Sequence, residues 1–268
     1  MRRLTLAIVA AIVLAPVVAS AGTSQSTTRA QADCVKLRAA MGTTAFAKAY
    51  ATFGACVSRY APVEQQVTVS ANATCTAQQA DPNFTATHDG KTFVQFYGSG
   101  KNGKNAFSRC VSIVVKANSK AEQQGRLNPA RTCRTLRTQL TGPLFNRTYG
   151  KNTNDHNAFG KCVAATARPQ AHNEVTASAT CRSEQSDTGF ASTHNGQTFD
   201  QAFGTNADLS NAFGMCVSST ARAASIAQEH AIVRAARACK AQQKSDPTGF
   251  KTKYGTFRAC VTTLAKSS

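Results

Sequence analysis

Apolar residues recur at helical spacing along most of this chain. Phe107, Cys110, Val111 and Val114 fall at steps of three and four, and Phe213, Cys216 and Val217 begin the same stripe. Asn105, Asn157 and Asn211 stand just before such stripes. There a side-chain oxygen can accept from the unpaired N–H groups of a helix start, and Thr52 and Thr256 take that place in shorter copies. Asp81-Pro82 and Asp246-Pro247 read as an N-cap followed by proline at the first helical position. No period-two alternation stands out. The pattern predicts an all-α fold.

The stripes belong to a repeat. Five units each open and close on a cysteine: Cys34 and Cys56, Cys75 and Cys110, Cys133 and Cys162, Cys181 and Cys216, Cys239 and Cys260. Between them lies an aromatic pair four apart: Phe46/Tyr50, Phe93/Tyr97, Phe145/Tyr149, Phe199/Phe203 and Phe250/Tyr254. A further phenylalanine (Phe53, Phe107, Phe159, Phe213 or Phe257) comes three residues before each closing cysteine. The expected units are residues 32–61, 72–118, 129–168, 178–222 and 235–266. The second and fourth carry an insertion, FTATHDGKTF and FASTHNGQTF, and a longer polar loop. Either odd and even units face different neighbours, or the array is a duplicated pair with an extra terminal copy. Units this small bury little apolar surface alone, so cross-links and stacking of neighbours are expected to hold them.

Glycine follows the aromatic pair as Gly98, Gly150, Gly204 and Gly255, which suits a left-handed helix stop; the first unit has Ala51. His88-Asp89-Gly90 and His194-Asn195-Gly196 read as turns with positive φ. Met215 to Lys244 holds neither proline nor glycine and reads as one helix. Along it, the 23 residues from Cys216 to Cys239 would span roughly 34 Å, far beyond the reach of about 7 Å for a disulfide. Pairing within units is expected. Pro62 and Pro169 are expected to interrupt the corresponding linkers.

Charge and cysteines set the compartment. Met1, Arg2 and Arg3 precede an apolar run from Leu4 to Val18, and Ala19-Ser20-Ala21 reads as a cleavage site. Residues 1–21 therefore read as a signal peptide, with no membrane span in the mature chain. An even ten cysteines in an exported chain point to disulfides. The formal net charge is +18, and loss of Arg2 and Arg3 leaves +16. Such a charge concerns partners, not fold, and directs attention to anionic surfaces and polymers.

Candidate chemistry is sparse. No cysteine lies close enough to another for a C-x-x-C metal site, and none is a unique thiol with a histidine partner. No cofactor, metal or catalytic set is expected. His88 and His194 are repeat-equivalent and form candidate ligand contacts, although a polar turn explains them as well. GSGKNGKN, Gly98 to Asn105, places Lys101 and Lys104 in a loop that could meet an anion. DGKT at Asp89 to Thr92 lacks the earlier glycine of a phosphate loop, since position 85 is threonine. The thirteen acidic residues are dispersed and form no matched acid/base pair. The aromatics sit in helical register rather than in stacking positions, so nucleic acid ranks below an envelope partner.

The units end in NAFGKCV, Asn157 to Val163, with HDGKTF and FYG or TYG upstream. In these motifs the chain resembles tandem Cys-bounded repeats of secreted actinobacterial proteins. The resemblance implies export and repetition, and no particular activity. Ser108-Arg109 and Gly214-Met215 replace Gly160-Lys161 in the other full copies, which argues against an obligatory lysine. The expectation is a secreted or envelope-associated, non-enzymatic binding or structural protein. Its partner would be an anionic cell-wall or extracellular polymer. A small-ligand protein or enzyme using the turns at His88 and His194 is the alternative, and extracellular nucleic-acid binding a further one.

Overall fold

The computed structural model describes residues 22–99, 102–150 and 157–267; the expected leader, Met1 to Ala21, and Lys101 lie outside them. Among the described residues there are fourteen helices and no strand. The first half holds α1 (Gly22–Met41), α2 (Thr43–Tyr50), α3 (Phe53–Ala80), α4 (Phe84–Thr87), α5 (Phe93–Tyr97), α6 (Ala106–Gly125) and α7 (Pro129–Leu140). The second holds α8 (Gly142–Tyr149), α9 (Ala158–Ser186), α10 (Phe190–Thr193), α11 (Phe199–Phe203), α12 (Ala212–Ser245), α13 (Pro247–Tyr254) and α14 (Phe257–Lys266).

All ten cysteines pair within their units, with Cα atoms 6.0–6.1 Å apart. Sequence separations of 21 to 35 residues correspond to about 3–4 kcal/mol each in the chain-entropy account. The helix expected between Cys216 and Cys239 is present as α12. The expected breaks at Pro62 and Pro169 are not: both prolines lie inside continuous helices, α3 and α9. Each forfeits one backbone hydrogen bond. Buried neighbours, Tyr60, Val63 and Glu64 in α3 and Ala167, Gln170 and Ala171 in α9, hold the helical path regardless. Thus α3, α9 and α12 each carry the closing cysteine of one unit and the opening cysteine of the next. Only between units 2 and 3 does the helix stop. Asn128 accepts there from Ala130 and Arg131 N–H, with Pro129 opening α7.

Capping differs from expectation in three respects. Thr52 and Thr256 cap by side chain, accepting from Ala55 and Ala259 N–H at 3.1 Å, but Asn105 and Asn211 do not. Their amides tie the preceding loop instead, Asn105 to Ser99 and Asn211 to Thr205. Asp246 caps α13 ahead of Pro247, whereas Asp81 folds an Asx turn onto Asn83 N–H before α4 begins. Of the glycines after the aromatic pairs, only Gly255 has positive φ, at 68°, and Ala51 adopts 64° in its place. Gly98 and Gly204 are extended. They are glycine because a Cβ would lie 2.3 Å from Val94 O and 2.5 Å from Asp200 O. The turns at Asp89-Gly90 and Asn195-Gly196 do have positive φ.

The units do not stack in chain order. Units 1, 3 and 5 share one continuous core, which holds Cys34, Phe46, Cys56, Cys133, Phe145, Cys162, Cys239, Phe250 and Cys260. Units 2 and 4 keep separate cores around Cys75 and Phe93 and around Cys181 and Phe199. Odd and even units therefore do face different neighbours. The long helices run from the odd core to the even ones. Near the even end α6 and α12 approach closely: a Cβ on Gly214 would lie 2.1 Å from Asn118 O, and one on Gly125 would lie 2.2 Å from Ser218 Cβ. Asn118 Oδ1 accepts from Gly214 N–H at 2.8 Å, so this contact is hydrogen-bonded as well as packed.

Candidate functional site

A groove of about 780 Å³ opens between α1, α3 and α6. Its walls place Arg29, Lys36, Lys116 and Lys120 around a strip of Phe107, Val111 and Val115, and no carboxylate lines it. The cations come from two helices at helical spacing, Arg29 and Lys36 seven apart on α1, Lys116 and Lys120 four apart on α6. Lys36 Nζ donates to Gln123 Oε1 at 2.6 Å, which spans the groove. Lys116 and Lys120 are exposed, and among the described residues every ion pair involves Arg29 or Arg126.

Beneath the groove lies a buried charge cluster. Arg29 Nε donates to Glu64 Oε2 at 2.8 Å, and Ser119 Oγ donates to the same oxygen at 2.9 Å. Arg126 contacts Asp33 at 3.2 Å, Glu174 at 3.0 Å and Glu122, and its guanidinium lies 4.0 Å from the Tyr60 ring centre. Tyr60 in turn shares a 3.0 Å hydroxyl hydrogen bond with Tyr50. Four buried carboxyl groups thus meet two guanidinium groups. Full ionisation would leave two uncompensated negative charges in a dry interior.

Protonation relieves that excess. Burial, opposed by Arg126, pushes the Asp33 carboxyl up to about 7, with Glu64 and Glu122 acting in the same direction. Burial likewise raises Glu122 and Glu174 against the pull of Arg126. Burial would lower the pKa of Arg126, but Glu122 and Glu174 outweigh it and hold the guanidinium charged. Asp33, Glu64 and Glu122 each place one carboxyl oxygen within 4.8 Å of the others. Arg126 already brings a positive charge into the same cluster.

The residues singled out from the sequence lie elsewhere. His88 stacks on Phe84 with ring centres 3.7 Å apart, and its Nδ1 bonds Phe84 O and Thr87 Oγ1, both at 2.9 Å. His194 repeats the arrangement on Phe190, Phe190 O and Thr193 Oγ1 with the same distances. Each Nδ1 is therefore engaged within its own turn. Thr92 and Thr198, each two residues beyond the turn glycine, form capping boxes with Gln95 and Gln201. Lys104 is exposed just before α6 and does not line the groove. Lys161 and Arg109 in the repeated motif are exposed, and Met215 is half-buried.

Sequence reasoning missed the groove and the cluster. Glu122 and Glu174 match in the repeat, each twelve residues after a closing cysteine, but Glu64 lies eight residues after Cys56 and Asp33 just before Cys34, so repeat alignment does not bring the four together. The available signals were the matching positions of Glu122 and Glu174 and the helical phase of Glu64, which lies one residue after buried Val63 and three before Val67. A scan against protein-family models found no match for the chain, and neither did searches of curated proteins and of solved structures.

Proposed function

We propose that this chain is an exported, disulfide-stapled repeat protein that binds an anionic cell-wall or extracellular polymer, without catalysis, along the α1–α3–α6 groove. The carrying observation is the three lysines of that groove, Lys36, Lys116 and Lys120, which form no ion pair among the described residues, beside Arg29 held by Glu64 and with no lining carboxylate. Their apolar strip suits a polymer with alternating charged and apolar faces. Four of the thirteen acidic residues are spent inside the cluster, so the surface is more basic than the net charge alone conveys. Five disulfides accord with an oxidising compartment, and no helix among the described residues is long and apolar enough to cross a membrane.

The test is retention on purified cell walls across a salt series, for the wild type and for Lys36→Gln/Lys116→Gln/Lys120→Gln. Each lysine near an anionic surface contributes about 1 kcal/mol, so the triple variant should bind on the order of a hundredfold more weakly at low salt. Salt-insensitive retention, or equal retention of the variant, would overturn the reading. Preferential capture of DNA over wall polymer in direct competition would move the partner to nucleic acid.

A further inference from the structure

Unit 3 repeats the architecture of unit 1 with one large side chain missing. Tyr149 follows Phe145 by four residues, as Tyr50 follows Phe46. In unit 1 the Tyr50 hydroxyl meets Tyr60, which lies four residues beyond Cys56. Four residues beyond Cys162 the chain has Thr166. Its hydroxyl turns to the disulfide, 3.5 Å from Cys133 Sγ and 3.8 Å from Cys162 Sγ. The Tyr149 hydroxyl is buried and has no hydrogen-bond partner.

A cavity of about 220 Å³ occupies this place, with Tyr149, Thr166, Leu136, Ile232, Val261 and Arg258 in its lining. Arg258 Nη1 is also buried without a partner, and among the described residues no carboxylate lies within ion-pair distance of it. Tyr149, Glu229 and Arg258 line the cavity together, and burial raises the pKa of the Tyr149 phenol. Burial also raises the Glu229 carboxyl, which forms no ion pair with Arg258. The same wall holds one unsatisfied acceptor, Gln170 Oε1, but two unsatisfied donors, one of them cationic, beside the apolar surface of Leu136, Ile232 and Val261 call for an anionic acceptor with an apolar body.

We propose that this cavity binds a small apolar carboxylate. Its carboxylate accepts from Tyr149 Oη and Arg258 Nη1, and its apolar part lies against Leu136, Ile232 and Val261. The volume is below the roughly 300–1,000 Å³ of sites for drug-sized ligands, so a single ring or a short chain is the class that fits.

Calorimetric titration of the full mature chain with benzoate, phenylacetate and hexanoate tests this, with benzamide and hexanamide as uncharged counterparts. Saturable binding of an acid at least tenfold tighter than its amide is the expected result. Tyr149→Phe should leave the melting temperature of the ligand-free protein unchanged or raised while weakening the acid about tenfold, and Arg258→Gln should weaken it at least as much. Thr166→Tyr should abolish binding by filling the cavity as Tyr60 does in unit 1, and should leave wall retention unchanged. Absence of saturable binding by all three acids, equal affinity for acids and amides, or unchanged affinity in both Tyr149→Phe and Arg258→Gln would overturn the proposal.

Discussion

The junctions of units 1 and 3 use matching positions for opposite ends. One residue before the opening cysteine stand Asp33 and Thr132; eight residues after the closing one stand Glu64 and Gln170. In unit 3 the pair is neutral and bonded, Gln170 Nε2 donating to Thr132 Oγ1 at 3.1 Å. In unit 1 two carboxyl groups face each other, and Arg126, Arg29 and Ser119 are drawn in to meet them. With Tyr60 the first junction is filled; with Thr166 the second is left open. The same helical scaffold therefore yields a solid charged joint or a cavity, according to three side chains. Helix α6 ends after Gly125, and Asn128 and Pro129 open α7.

The largest test of this contrast is Arg126→Met. Removing the shared partner of three buried carboxyl groups should cost about 3–5 kcal/mol, on the order of 10 °C in Tm. Thermal melts would show it, and a loss below about 1 kcal/mol would mean that the joint is not held by Arg126.

A smaller effect is pH dependence at the first joint, where Asp33, Glu122 and Glu174 are all raised by burial. The folded Asp33 carboxyl titrates at about 7, above its unfolded value of 3.8, so the folded state holds a proton that the unfolded state releases. Stability from this group is full below about pH 4 and is lost as pH rises through 7. The loss should be on the order of 1–3 kcal/mol. Asp33→Asn should reduce the slope over that range, and a slope left unchanged by the substitution would assign it to Glu122 and Glu174 instead.

The smallest test is a pair of substitutions with opposite signs. Tyr50→Phe strands the buried Tyr60 hydroxyl and should cost about 1 kcal/mol. Tyr149→Phe removes a hydroxyl that has no partner and should be neutral or stabilising by a similar amount. Equal destabilisation by both would erase the distinction between the two joints.

Periodicity carried much of this fold. Ten cysteines in register and the unbroken stretch from Met215 to Lys244 were enough to place the disulfides within units and α12 across a boundary. Pro62 and Pro169 misled because a local hydrogen-bond penalty was weighed without the burial that outweighs it. Asn105 and Asn211 misled because an amide can serve the loop before a helix as readily as the helix. The cluster was illegible because its members come from four segments whose proximity depends on units 1 and 3 packing together, a long-range contact that no spacing encodes. The groove followed from the same packing. The positive charge was plain in the sequence, but not which lysines would share a face.

Helices that belong to two units at once also constrain how such a chain can change in length. With α3, α9 and α12 shared across boundaries and a core reserved for odd units, deletion of one unit would turn an even face toward an odd one. Removal or gain of an adjacent pair preserves the alternation. Lineages that lengthen or shorten this protein should therefore do so two cysteine bridges at a time.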